Sequence, residues 1–408
     1  MQSTKKIFTL KGRSQHYNWG GTSFIPRLLQ VSNEKNQPYA EYWMGAHDKA
    51  PSTVVDEGKE TGLDKIIAAD VNGTLGANVA AKFGRLPYLF KVLDVKDMLS
   101  IQVHPSKESA VEEFEKENRK GVALNAANRN YKDDNHKPEL MFALSEFWLL
   151  HGFKEEKKLV AILKKVPELQ FLLPVFEKES YEGLYKKVME MDQHEVNERL
   201  QPLLDRIIPL YKEEKLHRED EDFWAARAAI TFNETDKIDR GIFSIYLFNV
   251  VKLMAGEAIF QDAGVPHAYL EGQNIEIMAN SDNVLRGGLT NKHIDVPELL
   301  KHTRPEATIP KVIRGQKSGI EGEEVFLTPA ADFELRKIDL QPKAQTVVPV
   351  KTTDIFFVYK GEVAVTEGDD RINAKAGDSF LVLNGGKPEI KASTIAQIFR
   401  ATVPGADK

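Results

Sequence analysis

The sequence predicts a mainly β protein with a helical lobe: two related β-barrels plus an inserted α-helical domain. Three observations predict it. Short runs of β-branched and aromatic residues, parted by Gly or Asp turns, fill the first and last parts of the chain, as closed β architectures require. Between them, from about 155 to 232, apolar residues recur at three- and four-residue spacing. Near the end, "VYKGEVAV" followed by "AKAGDSFLVLNGG" repeats the strand–Gly–strand texture of "LMAGEAIFQDAGVPHAYL".

Taken in order, residues 1 to about 150 mix strand-like runs with a few helices. One helix follows Ser106 in "SKESAVEEFEKEN", with Ser106 as its N-cap. Just before it, in "MLSIQVHP" (98–105), Leu99, Ile101 and Val103 alternate with Ser100, Gln102 and His104. That is the period of a half-buried strand. Because the apolar run "LPYLFKVLD" precedes it, its polar side is expected to face the inside of a barrel. "EEKKLVAILKKV", "YEGLYKKVMEM", "VNERLQPLLDRII" and "DEDFWAARAAITF" read as helices. "IFSIYLFNVVKLM", "EAIFQDA", "AYLEGQNIEIMA", "IFFVYKGEVAVTE" and "SFLVLN" read as strands. The expected units are 1–154 with 233–308, a helical domain at 155–232, and a C-terminal barrel at 309–408.

With 408 residues, 42% hydrophobic and 28% charged, the composition is that of an ordinary soluble globular chain of two or three domains. A net charge of -6 argues against a general binder of nucleic acid or anionic membrane. No stretch approaches the ~18 consecutive apolar residues of a membrane span. "MQSTKKIFTLKGRS" has no apolar secretory core, so a cytoplasmic chain is expected. The absence of cysteine removes disulfides, thiol nucleophiles and Cys-held metals together. Nor does a Gly-rich phosphate loop open a helix after a strand.

Certain polar residues look placed. "DDNHKPELMFAL" supplies His136, Lys137 and Glu139 at the mouth of an apolar run, with Pro138 favouring a strand start at Glu139. "DAGVPHAYLEGQNIEIMANSDNVLRGG" supplies His267, Tyr269, Glu276, Asp282 and Arg286. Two imidazoles, a carboxylate and an amide oxygen, from His104, His267, Glu139 and Gln102, make a four-point shell for a divalent metal. Spacing alone leaves a blander reading open: a solvated Gln102, a hydrogen-bonded core His104, and a Glu139 paired with Lys137. Arg286 reads equally as a loop charge or a phosphate clamp. The distribution of histidine favours the metal. All ten lie between residues 16 and 302, so a C-terminal barrel built like the first lacks the ligands.

The stretches "HYNWGG" (16–21), "AEYWMGAHDKAPS" (40–52), "PYLFKVLDVKDMLSIQVHPSKESA" (87–110), "HKPELMFAL" (136–144) and "GVPHAYLEGQNIEIMANSDNVLRGGLTNKHID" (264–295) resemble type I mannose-6-phosphate isomerases, zinc enzymes of the cupin (jelly-roll) superfamily. The resemblance implies one zinc ion per chain, held by Gln102, His104, Glu139 and His267. It places Arg286 at the family's essential arginine, and Lys137, Tyr269, Asp282, Glu276, Trp19, Glu41 and Ser100 along its pocket. The implied reaction interconverts mannose 6-phosphate and fructose 6-phosphate through a cis-enediol, serving mannose metabolism and GDP-mannose supply. Lys137, His136, Asp282, Glu276 and a zinc-bound water are the candidate bases, with His136 also suited to ring opening. Arg286, with Ser100 and Lys137, suits the phosphate or the developing charge. The implied partner is a small sugar phosphate, with neither nucleic acid nor membrane, and the chain is expected to be a monomer. The rival readings are another cupin metalloenzyme of the iron dioxygenase type and a non-enzymatic sugar-binding double cupin.

Overall fold

The apolar run "YLFKVLDV" becomes the strand Tyr88–Val95, buried at every residue. Such a strand needs neighbours on both edges and cover on both faces. Glu41–Gly45 pairs antiparallel with one edge and His267–Ala279 with the other. In the computed structural model, which describes residues 5–406, this sheet runs Phe248–Leu253, Phe147–Phe153, His267–Ala279, Tyr88–Val95, Glu41–Gly45, Arg13–Gln15. Glu139–Ala143, Gln102–Val103, Ala258–Gln261 and Leu285–Arg286 attach to its side.

His267–Ala279 changes partners along its length. Its first residues pair with Phe147–Phe153 and Gln102, and Gly272 onward pairs with Tyr88–Val95. The register shifts between Tyr269 and Glu271, and Gly272 follows at φ +134. A Cβ there would lie 2.5 Å from the Phe147 ring, so only glycine lets the strand bend at this point.

Two stretches differ from expectation. Within "MLSIQVHP" only Gln102–Val103 forms a strand. Leu99 N–H bonds to the Tyr269 carbonyl while Ile101 N–H bonds to that of Gly288, so the run bridges two segments and follows neither as a ladder. "IFSIYL" is helix, Gly241–Leu247, followed by the strand Phe248–Leu253. All seven helical residues are buried, and a run apolar on every side carries no period that separates helix from strand. Ser106 caps its helix as expected, accepting the Ser109 N–H at 3.2 Å.

The helices Glu156–Lys165, Leu173–Glu190, Gln193–Lys212 and Glu221–Phe232 form the helical portion. Its core is continuous with the back of "MLSIQVHP": Met98, Ile101 and Val103 join Leu159, Leu184, Leu203 and Trp224 in one apolar cluster. Ile101 and Val103 are fully buried there. The helices therefore fix which face of this run is apolar, and Gln102 and His104 turn the other way.

Beyond residue 315 the chain is again β. Glu334–Leu340, Ala396–Thr402, Asp354–Lys360 and Ser379–Val382 lie side by side, and Ile7–Lys11 from the start of the chain pairs with Ser379–Val382. Gln345–Val347, Glu389–Ala392, Glu362–Glu367 and Asp370–Lys375 form a smaller sheet, with apolar residues such as Ile338, Val358 and Ile398 in a separate core. Among the described residues, no helix is long and apolar enough to cross a membrane. Ile101→Ala should lower stability by about 2–5 kcal/mol, read as a lower urea midpoint; an unchanged midpoint would contradict the shared core.

Candidate metal centre and substrate cleft

His104 and His267 each spend Nδ1 on a backbone carbonyl: His104 on Asn283 at 2.8 Å and His267 on Val265 at 2.9 Å. With Nδ1–H donating, Nε2 of both rings carries a lone pair. Both Nε2 atoms are buried without a hydrogen-bond partner. Glu139 faces them, with Oε1 3.4 Å from His104 Nε2 and Oε2 3.3 Å from His267 Nε2. Two buried lone pairs against a carboxylate repel one another unless a cation sits between them. The ligating atoms lie within 4.8 Å of one another. Gln102 stands across the ladder from His267 on one side and from Arg286 on the other, which puts these three side chains on one sheet face. The residues fit a divalent metal.

Burial would raise the Glu139 carboxyl, but Lys137 and His104 outweigh it and hold the group well below its usual range. The Lys137 ammonium is 3.1 Å from Glu139 Oε1. Burial pushes the His104 imidazole down to about 4, so the ring is neutral and ready to ligate at pH 7. In a recess that shares Glu41, Lys91, Gln102 and Lys137 with the cleft, Glu276 accepts the Tyr269 hydroxyl at 2.8 Å and the Lys91 ammonium at 2.9 Å. Lys91 also lies 3.5 Å from Glu41 and over the Trp43 ring. Burial raises the Glu276 carboxyl above its ordinary range, whereas Glu276 and Glu41 raise Lys91 against its own desolvation.

In front opens a cleft of about 940 Å³, lined among others by Trp19, Glu41, Ser100, Gln102, Lys137, Asp282 and Arg286. Tyr17 stacks on Trp19 at 5.8 Å, giving the wall an aromatic patch. Asp282 is pinned at the rim by Lys49 at 2.6 Å and His47 at 3.3 Å, which lower its carboxyl despite burial. Arg286, Lys132 and Lys292 also line the cleft. Among the described residues none of them has a carboxylate within ion-pair distance, and desolvation lowers the pKa of each. Cations left unpaired around a cleft suit an anionic ligand.

The structure thus gathers the four expected ligand residues, with Lys137, Arg286, Trp19, Glu41, Ser100, Tyr269, Glu276 and Asp282, around one recess and cleft. It does not bring in His136. Its Nε2 lies 2.9 Å from Asp332, and it is absent from the lining, because neighbouring residues of an extended segment point to opposite sides and Lys137 takes the inward one. Sequence reasoning missed Lys91, Lys132 and Lys292. Lys91 carried a signal, a charge buried in a mostly apolar strand that it shares with Asp94; the other two sit in polar loops that carry none.

The profile of the type I phosphomannose isomerase catalytic domain matches residues 7–156. Mannose-6-phosphate isomerase of Escherichia coli is 37% identical over 379 residues, covering 92% of this chain and 94% of that protein. The human enzyme is 34% identical, with 88% of each chain covered. The crystal structure of mannose 6-phosphate isomerase from Salmonella typhimurium bound to fructose 6-phosphate and zinc superposes with TM-score 0.87 at 34% identity, over 98% of this chain and all of that one.

His151, across the ladder from His267, offers a pH test of this interior. Burial pushes its imidazole down to about 4, against the 2.7 Å bond to Gln261 that favours the charged form. Unfolded, it titrates near ~6.5, so below that pH the unfolded chain takes up a proton that the folded one refuses. The stability tied to neutral His151 is present above pH ~6.5 and is lost on acidification towards 4, amounting to about 3 kcal/mol. His151→Gln should flatten the acid limb of urea midpoint against pH; parallel limbs would refute the assignment.

Proposed function

The chain belongs to the type I phosphomannose isomerase family, and from that premise we propose how its own residues interconvert mannose 6-phosphate and fructose 6-phosphate. The observation that carries the reading is the pair of buried, unpartnered Nε2 atoms facing Glu139. We assign Gln102, His104, Glu139 and His267 to one zinc ion per chain. When bound, zinc supplies Lewis acidity and a hold on the sugar oxygens.

Arg286, Lys132 and Lys292 take the phosphate, with the Ser100 hydroxyl beside them; a guanidinium grips phosphate oxygens through two N–H groups at once. Trp19 and Tyr17 offer an apolar face to the sugar carbons. Asp282 and Glu41 bind hydroxyls, because their charges are already matched by Lys49, His47 and Lys91.

Glu276 is the base. Its desolvated carboxylate takes up a proton more readily than an exposed one, and Tyr269 and Lys91 fix its direction. The C2 proton of the open-chain aldose passes to Glu276 as the C–H electron pair forms the C1–C2 double bond. The Lys137 ammonium gives O1 a proton in the same step. Lys137 then recovers one from O2 as the ketone forms, and Glu276 returns its proton to C1. His136, bonded to Asp332, receives no step.

The sheets read as two cupin-type barrels, the C-terminal one lacking ligands and borrowing the strand Ile7–Lys11. The catalytic unit is 1–154 with 233–308, interrupted by the helical domain 155–232. We propose a cytoplasmic monomer. Neither an iron dioxygenase nor a sugar-binding double cupin is favoured beside relatives of the isomerase family.

Isomerisation should vanish on chelation, return with zinc, and be absent in His104→Ala; turnover indifferent to chelator would overturn the metal assignment. Glu276→Gln should lower kcat by roughly 10²–10⁴-fold with zinc content unchanged, and a smaller loss would move the base elsewhere.

A further inference from the structure

Arg286 is followed by Gly287, Gly288, Leu289, Thr290, Asn291 and Lys292, so one short turn carries two of the cleft's unpaired cations. The turn is not built to hold itself. Gly288 lies at φ +122 and Leu289 at φ +54, a region that costs a branched residue about 1–3 kcal/mol unless its surroundings impose it. What imposes it comes from the segment that follows the helical lobe, between Phe232 and the helix Gly241–Leu247. Asp239, 7% exposed, accepts three backbone N–H groups: Gly241 at 2.7 Å and Leu289 at 2.8 Å on Oδ1, and Thr290 at 3.0 Å on Oδ2. A Cβ on Gly288 would lie 2.4 Å from Gly241 Cα, and one on Gly287 would lie 2.8 Å from the Tyr185 hydroxyl, so the turn meets Gly241 backbone to backbone and a side chain of the lobe closes on it.

Asp239 is itself tethered. Its N–H donates to Asn233 Oδ1 at 3.0 Å. Asn197, on the helix Gln193–Lys212, accepts the Ile238 N–H at 3.0 Å and donates to the Asp236 carbonyl at 2.8 Å. Capping the helix Gly241–Leu247 would occupy Asp239 with Gly241 alone; the bonds to Leu289 and Thr290 serve the other side of the contact.

We infer that Asp239 is a positioning residue: the segment that carries it, tied to the helical lobe by Asn197, holds the 286–292 turn so that Arg286 and Lys292 form a preformed site for the phosphate end of the substrate. The inference rests on reading the cleft as a sugar-phosphate site. An Asp carries it better than Asn, because Thr290 N–H would meet an amide donor in place of Oδ2.

The test uses full-length, zinc-loaded protein: wild type, Asp239→Asn and Asn197→Ala. KM and kcat for mannose 6-phosphate are measured with the Kd for inorganic phosphate by calorimetry, and zinc content is checked. Asp239→Asn is expected to raise KM and the phosphate Kd roughly tenfold, with kcat and zinc content changing far less. Asn197→Ala should move both constants the same way by less. A folded, zinc-loaded Asp239→Asn with wild-type KM and phosphate Kd overturns the inference, as does a loss confined to kcat. If Asp239→Asn does not fold, an unchanged phosphate Kd in Asn197→Ala overturns it. Should wild type not isomerise mannose 6-phosphate, the functional reading fails, while the phosphate titrations still decide the role of Asp239.

Discussion

The strand His267–Ala279 pairs with Phe147–Phe153 and Gln102 before its bulge, and with Tyr88–Val95 and Glu139–Ala143 after it. A straight strand serves two neighbours; a bent one serves four, and three of them bring a residue to the same interior. Gln102 comes from one, Lys91 from another, Glu139 from a third, while His267, Tyr269 and Glu276 ride on the bent strand itself. The Tyr269–Glu276 bond closes across the bend. Gly272 allows this geometry, since the Phe147 ring occupies the space of any side chain there. The ligand set is thus a consequence of strand pairing, and the loops contribute chiefly the rim.

Bringing so much charge indoors is costly unless each group has a partner. Glu41 and Glu276 share Lys91, Glu139 pairs with Lys137, and the His104 imidazole stays neutral. The arrangement leaves two kinds of unmet demand: a cluster of lone pairs at His104, His267 and Glu139, and surplus positive charge at Arg286, Lys132 and Lys292. One calls for a cation and the other for an anion. A metal ion and a phosphorylated substrate satisfy both, which is why the ligand identities can be read from charge before any substrate is placed.

Much of this was legible in the sequence because it depended on period or residue type. The alternation in "MLSIQVHP" correctly turned Gln102 and His104 away from Ile101 and Val103, although the stretch is mostly not ladder. Helical spacing found the lobe, and Ser106 announced its helix. What period cannot encode was lost. "IFSIYL" is buried on every side, so helix and strand look alike. His136 and Lys137 are adjacent, and only the fold decides which one faces the cleft. Lys132 and Lys292 meet only where the cleft brings their loops together, Asp239 bonds a turn 50 residues away, and their neighbours are ordinary loop residues. The insertion of Ile7–Lys11 beside Ser379–Val382 is likewise a long-range pairing that no local pattern carries.

The C-terminal sheets show why one set of ligands is enough. Where the first β region has imidazoles and carboxylates, this one has Ile338, Val358, Val365, Phe380 and Ile398, with Phe356 stacked on Phe380 at 4.7 Å. The cluster between these sheets is apolar where the first region gathers imidazoles and carboxylates. Its buried charges, Arg400 with Asp354 and Glu323, are matched to each other. It touches the first region at several points: the Tyr88 hydroxyl donates to the carbonyls of Thr353 and Ala401, and Asp332 holds His136. Both contacts sit on the segments that carry Lys91 and Glu139. The C-terminal region is therefore packed against the two segments that place Lys91 and Glu139, and His136 belongs to that packing and not to the cleft.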